Sequence, residues 1–202
     1  MKVLLGISGA SGAAYGVRTL SLLLARGADL HVLVTKTAWG ILASEVWDGK
    51  LPGGMAARRK GLARLSSSAR PFRLYAEDDF GIPFASGSNA PDAMIVAPCS
   101  MGTLGRIAHG VSSSVLTRCA DVALKERRPL VLVSRETPLS VIHLENMLTL
   151  ARAGAHILPA CPGFYHRPET VSGLVDFVVS RALSCIGVDA GVLPRWGEGK
   201  EE

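Results

Sequence analysis

Apolar residues in this chain fall into two recurring patterns. Short unbroken runs of about five residues are each followed by a polar turn, then by a longer stretch whose apolar positions repeat every three to four residues. Unbroken runs suit strands buried on both faces of a parallel sheet, and the longer repeat suits helices that cover it. Lys2 to Ile7 reads as a strand, Ser8 to Gly12 as a turn, and Ala13 to Ala25 as a helix with Val17, Leu20 and Leu24 on one face, stopped by Gly27. Leu30 to Val34 is a second strand, and Thr35 is placed to cap a helix over Lys36 to Val46. Phe72 to Tyr75 is a short strand, and Ala93 to Ala97 a buried one closed by Pro98. Helical segments over Ser100–Ala108 and Ser114–Lys125 follow, then a strand at Leu130–Val133 and a helix at Leu139–Ala153 ended by Gly154. A last short strand at His156–Leu158 and a helix at Thr170–Ile186 complete the pattern. This alternation predicts an α/β fold: a doubly wound parallel sheet in three αβα layers, as one domain over residues 1–202.

Two stretches do not fit. Leu51 to Arg70 holds Pro52-Gly53-Gly54, the basic Arg58-Arg59-Lys60 and Ser66-Ser67-Ser68. It predicts an irregular surface excursion, with an anion-binding loop as the alternative. The charged tail from Gly197 to Glu202 predicts a frayed end, with Trp196 anchoring the chain before it.

Composition narrows the function. With 48% hydrophobic and 19% charged residues the chain can build a thick core. No apolar run approaches bilayer length, and Met1-Lys2 leads straight into a strand without a signal-peptide pattern, so the expected compartment is the cytoplasm. The net charge of +5 favours an anionic partner. Basic residues form no single stripe and only 5% of residues are aromatic, which points to a small phosphorylated ligand and away from nucleic acid. Cys99, Cys119, Cys161 and Cys185 lack C-x-x-C spacing and read as small buried hydrophobes; dispersed histidines without H-E-x-x-H give no expected metal site.

Candidate chemistry lies after the strands. Gly6-Ile7-Ser8-Gly9-Ala10-Ser11-Gly12 joins a strand to a helix, where backbone N–H groups can approach an anion, although its spacing matches neither a dinucleotide fingerprint nor a P-loop. Pro98-Cys99-Ser100-Met101-Gly102-Thr103-Leu104 repeats the arrangement, and Ala85 to Pro91 offers small hydroxyl and amide groups. Ser134-Arg135-Glu136-Thr137-Pro138 follows a buried strand, placing a guanidinium and a carboxylate where open α/β sheets bind ligands. The arginine can fork onto a phosphate, and the glutamate can move a proton. Arg118, Lys125, Tyr165 and Arg181 add cationic and phenolic groups; a snorkelling Arg181 and a solvated Glu45 are the plainer readings of those two.

Taken in order, GISGASGAAYG, ASGSNAPDAMIVAPCSMGTL, ADVALKERRPLVLVSRETPLS, HLENMLTL, ILPACPGFYHRPETVSGLVDFVVSRAL and LPRWGE resemble the UbiX/Pad1 family of flavin prenyltransferases from Lys2 to about Glu198. The resemblance implies a flavodoxin-like fold and the joining of a dimethylallyl group to N5 and C6 of reduced FMN. The donor it implies is dimethylallyl phosphate, used without a metal. The prenyl-FMN product serves UbiD-type decarboxylases, a separate reductase supplies reduced flavin, and sites form at the subunit junctions of a homo-oligomer, commonly a dodecamer. Mapped onto this sequence, it implies flavin contacts at Gly9, Ala10, Ser11, Thr35, Ser100, Met101, Gly102, Thr103 and Arg135, with Arg118 nearby. It implies proton relay at Ser11, acid–base work at Glu136, further pocket roles for Glu45 and Ser86, ligand contact by Arg135, and donor-phosphate contacts at Lys125, Tyr165 and Arg181. Ser134 stands where relatives often carry proline, a change expected to loosen the loop before Arg135.

Two alternatives share the fold. A flavin-dependent cysteine decarboxylase would carry an asparagine in the second flavin loop, where this chain has PCSMGT, and an early catalytic histidine, whereas His31 falls within a strand. A non-catalytic FMN carrier would need neither Ser11 nor Glu136.

Overall fold

In the computed structural model, which describes residues 1–193, the apolar runs form six parallel strands. These are β1 (Lys2–Ile7), β2 (Asp29–Val34), β3 (Arg73–Tyr75), β4 (Ala93–Cys99), β5 (Leu130–Ser134) and β6 (His156–Pro159). The helices are α1 (Ala13–Ala25), α2 (Lys36–Val46), α3 (Gly54–Leu65), α4 (Met101–Ala108), α5 (Val115–Lys125), α6 (Val141–Arg152) and α7 (Val171–Ser184). Two 3-10 turns, Pro83–Ala85 and Gly87–Asn89, precede β4. Trp196 and the tail from Gly197 lie outside the described residues.

The sheet order is β3-β2-β1-β4-β5-β6. Without the three-residue edge strand β3 this is the flavodoxin-like order, and the chain reverses direction across the sheet between β1 and β4. Alternate side chains divide between two cores. Val3, Leu5, Ile7, Val131 and Val133 face α1, α2, α3 and α7. Leu4, Met94, Val96, Leu130 and Leu132 face α4, α5 and α6. Each fully buried Leu or Ile stabilises the sandwich by roughly 1.5–3 kcal/mol.

Helix starts follow from short hydroxyl side chains. Thr35, Ser100, Ser114, Ser140 and Thr170 each accept a backbone N–H from the first turn of α2, α4, α5, α6 and α7. Helices α4, α5, α6 and α7 therefore begin one or two residues inside the expected limits, while α2 begins at Lys36 as expected. Helix α1 differs: its cap residue, Gly12, sits at φ 109° and carries no side chain to do this.

Two expectations about the backbone are overturned. The 51–70 stretch is not irregular, because Gly54–Leu65 is helix α3. Leu62 is fully buried beneath it, and the Arg58 guanidinium lies 4.9 Å over the Trp39 ring while its Nε donates to the Pro52 carbonyl. The expected loosening at Ser134 does not occur either. Ser134 is the buried last residue of β5, paired with Cys99 and Pro159, and its carbonyl accepts the Ala160 N–H at 2.8 Å.

Candidate active site

Three strand-end loops are stitched together at the point where the sheet order reverses. Ser8, at the tip of β1, is 1% exposed. Its hydroxyl donates to the Pro98 carbonyl at 3.0 Å and accepts the Ser100 N–H at 2.7 Å. That hydroxyl is spent on structure and is not a ligand donor. Arg135, just past β5, donates its N–H to the Cys99 carbonyl at 3.2 Å and its Nε to the Ser11 carbonyl at 3.0 Å. Ser11, Ser100, Arg135 and Glu136 thus share one edge of the molecule.

Glu45 enters this edge from α2. Its carboxylate accepts the N–H groups of Gly12 (3.0 Å) and Ala13 (2.7 Å), supplying the cap that Gly12 lacks and an anion where the α1 dipole favours one. Gly9 is fixed by crowding, since a Cβ there would lie 2.6 Å from Thr37 Cγ2; the first loop presses on the start of α2. Thr35 is buried, with its hydroxyl on the Ala38 N–H.

Ser100 caps α4 and hydrogen-bonds Thr103 Oγ1 at 3.1 Å. The side chains of Met101 and Thr103 are buried, so this loop presents backbone to the surface. First-turn N–H groups have no partner within their own helix. Gly102 is open, with only Arg106 Nη1 within 4 Å of where its Cβ would stand. This donor set fits a ligand rich in phosphate, hydroxyl and carbonyl oxygens, as FMN is. Arg106 was not singled out from the sequence. Its Nη2 reaches Thr103 Oγ1 at 3.4 Å, and the available signal was its place one turn after PCSMGT.

Glu136 opens onto a cleft of about 360 Å³ with Arg135, Leu139, Met147, Ala160 and Cys161. Its Oε1 accepts the Thr137 N–H and lies 4.0 Å from Arg135 Nη1. Cys161 is exposed here, against the expectation of buried cysteines. Cys99 and Cys119 do meet that expectation, and burial pushes both thiols up to about 12.

The remaining candidates lie elsewhere on the chain. Tyr165 and Arg181 line a pocket of about 400 Å³ against α7. Ser86, Arg118 and Lys125 gather on the opposite helical layer, where Arg118 Nε donates to the Ala85 carbonyl and Nη1 pairs with Asp121 at 2.7 Å. Lys125 ends α5 and pairs with Glu126, whose carboxyl it holds below the usual range. The pair lies against Gly87, where an added Cβ would come 2.4 Å from Lys125 Nζ. Lys125 precedes β5 and Glu136 follows it, so about 17 Å of strand separates their ends of the sheet. No cluster of three His, Cys, Asp or Glu suited to a metal occurs among the described residues, and no helix among them is long and apolar enough to cross a membrane.

The family model for flavoproteins matches residues 1–183. The flavin prenyltransferase UbiX of Pseudomonas aeruginosa is 49% identical over 198 residues, covering 98% of this chain and 94% of that protein. The crystal structure of AnUbiX (PadA1) in complex with FMN and dimethylallyl pyrophosphate superposes with a TM-score of 0.85 at 37% identity, covering 96% of each chain. A dodecameric FMN-dependent UbiX-like decarboxylase from Escherichia coli O157:H7 gives 0.82 at 39%, covering 94% of this chain and 96% of that one.

Proposed function

We propose that this chain, which belongs to the UbiX-type family of flavin prenyltransferases, joins the dimethylallyl group of an allylic phosphate to reduced FMN and so makes prenyl-FMN. The observation that supports this best is the meeting of Ser11, Ser100 and Glu136 at one strand-tip edge, tied by Arg135 to the Ser11 carbonyl. Storage of a flavin needs no carboxylate beside the ring, and a cysteine decarboxylase is not favoured, because His31 is buried inside β2 and the second loop lacks the asparagine.

Reduced FMN supplies the nucleophilic N5 and C6 positions. The chain's part begins with binding: the loops at Gly9–Ser11 and Ser100–Thr103, with Thr35 and Arg135, hold the flavin through backbone and hydroxyl groups. Lys125, Tyr165 and Arg181 stabilise charge as the phosphate leaves. Glu136 accepts the ring proton lost when the second carbon bond forms, and Ser11 relays protons at the other flavin position. Glu45, already bound to the α1 amino terminus, closes the pocket beside Ser11, with Ser86 and Arg118 completing it from the other layer.

That layer arrangement supports a homo-oligomer in which neighbouring chains complete each site. The dodecameric relative supports the same reading, as do the exposed apolar side chains Val141, Ile142, Leu144 and Leu148 along α6. A UbiD-type decarboxylase would take the product and a separate reductase would supply the flavin; four unpaired cysteines fit the reducing cytoplasm.

Anaerobic incubation with reduced FMN and either dimethylallyl monophosphate or diphosphate should yield a flavin heavier by one dimethylallyl unit. Bound FMN of unchanged mass with both donors would overturn the proposal. Glu136→Gln should keep FMN bound and lower the rate about 10²-fold or more, as loss of a proton-transfer group does; unchanged turnover would remove Glu136 from the chemistry.

A further inference from the structure

The pocket beside α7 contains polar groups that no role above uses. Ser180 lines it next to Arg181, and the Ser180 hydroxyl is buried without a hydrogen-bond partner. This is unusual for the chain. Thr19, Ser21, Thr149 and Ser184, also inside helices, each donate to the carbonyl four residues back. The second orphan is close by. Both ring nitrogens of His166 are buried and unpaired. Its ring stacks on Phe177, centroids 5.4 Å apart and nearly parallel, and meets Tyr165 edge-on at 5.7 Å. Phe177 and Tyr165 both line the same pocket.

A buried donor or acceptor left unpaired is costly, and native structures rarely keep one without a reason. Alanine at 180 and phenylalanine at 166 would fill the same space without that cost. One such group lining the pocket beside an arginine, and a second packed behind the pocket's aromatic wall, point to a ligand that brings hydrogen-bonding oxygens.

We propose that Ser180 and His166 belong to the donor-phosphate site: Ser180 donates to a phosphate oxygen beside Arg181, and His166 positions Tyr165 and is satisfied when the phosphate and its waters fill the pocket. This rests on the prenyl-transfer reading and extends it to two residues that the resemblance did not include.

The test separates binding from folding. Ser180→Ala and His166→Phe are made in the full-length oligomer, and three quantities are measured: melting temperature without ligands, calorimetric binding of dimethylallyl phosphate and of inorganic phosphate, and KM against kcat. Both variants should melt at or above the parent temperature. Each should bind both phosphates roughly tenfold more weakly, the size expected for losing a hydrogen bond to a charged group. KM for the donor should rise with kcat and FMN affinity nearly unchanged. Unaltered phosphate affinity would overturn the proposal. So would a fall in melting temperature and kcat together, which marks a packing role. A parent protein that binds phosphate but makes no prenylated flavin would instead sink the prenyl-transfer reading and leave the phosphate site standing.

Discussion

At the scale of single residues, proton accounting is clearest at His31. It is 2% exposed in β2, with Nδ1 2.8 Å from the Tyr75 hydroxyl and its ring edge-on to Phe84. Burial lowers its pKa below the ordinary histidine value, and the nearby Asp29 carboxylate opposes this only in part. The fold therefore holds His31 neutral. Its contribution to stability is complete above about pH 6.5, where the unfolded chain is also neutral, and is lost as pH falls and the unfolded chain takes up the proton first. The urea midpoint should drop between pH 7 and 5 in the parent, and His31→Gln should flatten that drop; equal slopes would show that other groups carry it. Glu45 shows how the same scale escaped the sequence. Its charge was visible, but not that Gly12 leaves α1 without a cap and that a carboxylate from the next helix supplies it.

At the scale of elements, the strands were legible because a parallel sheet buried on both faces leaves short unbroken apolar runs, rich in Val, Ile and Leu and bounded by turn residues. The strand-tip loops were legible for a related reason: hydroxyl caps such as Ser100 both begin a helix and mark the end of a strand. Helix α3 was missed because its pattern is weak. Only Leu62 is fully buried in it, and Pro52-Gly53-Gly54 with three cations in a row reads as solvent-facing chain. The overlooked signal was propensity, since Met55-Ala56-Ala57-Arg58-Arg59-Lys60 are all strong helix formers. If Leu62 is what holds α3 down, Leu62→Ala should cost about 2–5 kcal/mol of stability by chemical denaturation. A loss under 1 kcal/mol would mean that the Arg58–Trp39 contact and helix propensity suffice.

At the scale of the whole molecule, the sheet separates the groups assigned to the leaving phosphate. Tyr165 and Arg181 accompany α7 in one layer; Lys125 ends α5 in the other. The order of elements along the chain does not reveal this, because the face a helix covers follows from the direction in which its right-handed crossover steps across the sheet. A chain carrying Lys125→Ala and one carrying Arg181→Ala should each be nearly inactive alone. Co-assembled in equal amounts, about a quarter of sites would draw both intact residues from different copies, so activity should reappear. Continued inactivity of the mixture would show that each copy works by itself.

The contact between Gly87 and the Lys125–Glu126 pair then has a consequence beyond its own loop. Position 87 has no reactive group, yet it is where the Lys125 ammonium rests, and on the function proposed above that ammonium would work in a neighbour's site. A single methyl added here would displace that ammonium, so on the same reading a site in one copy would depend on an empty volume in another, the size of one carbon atom.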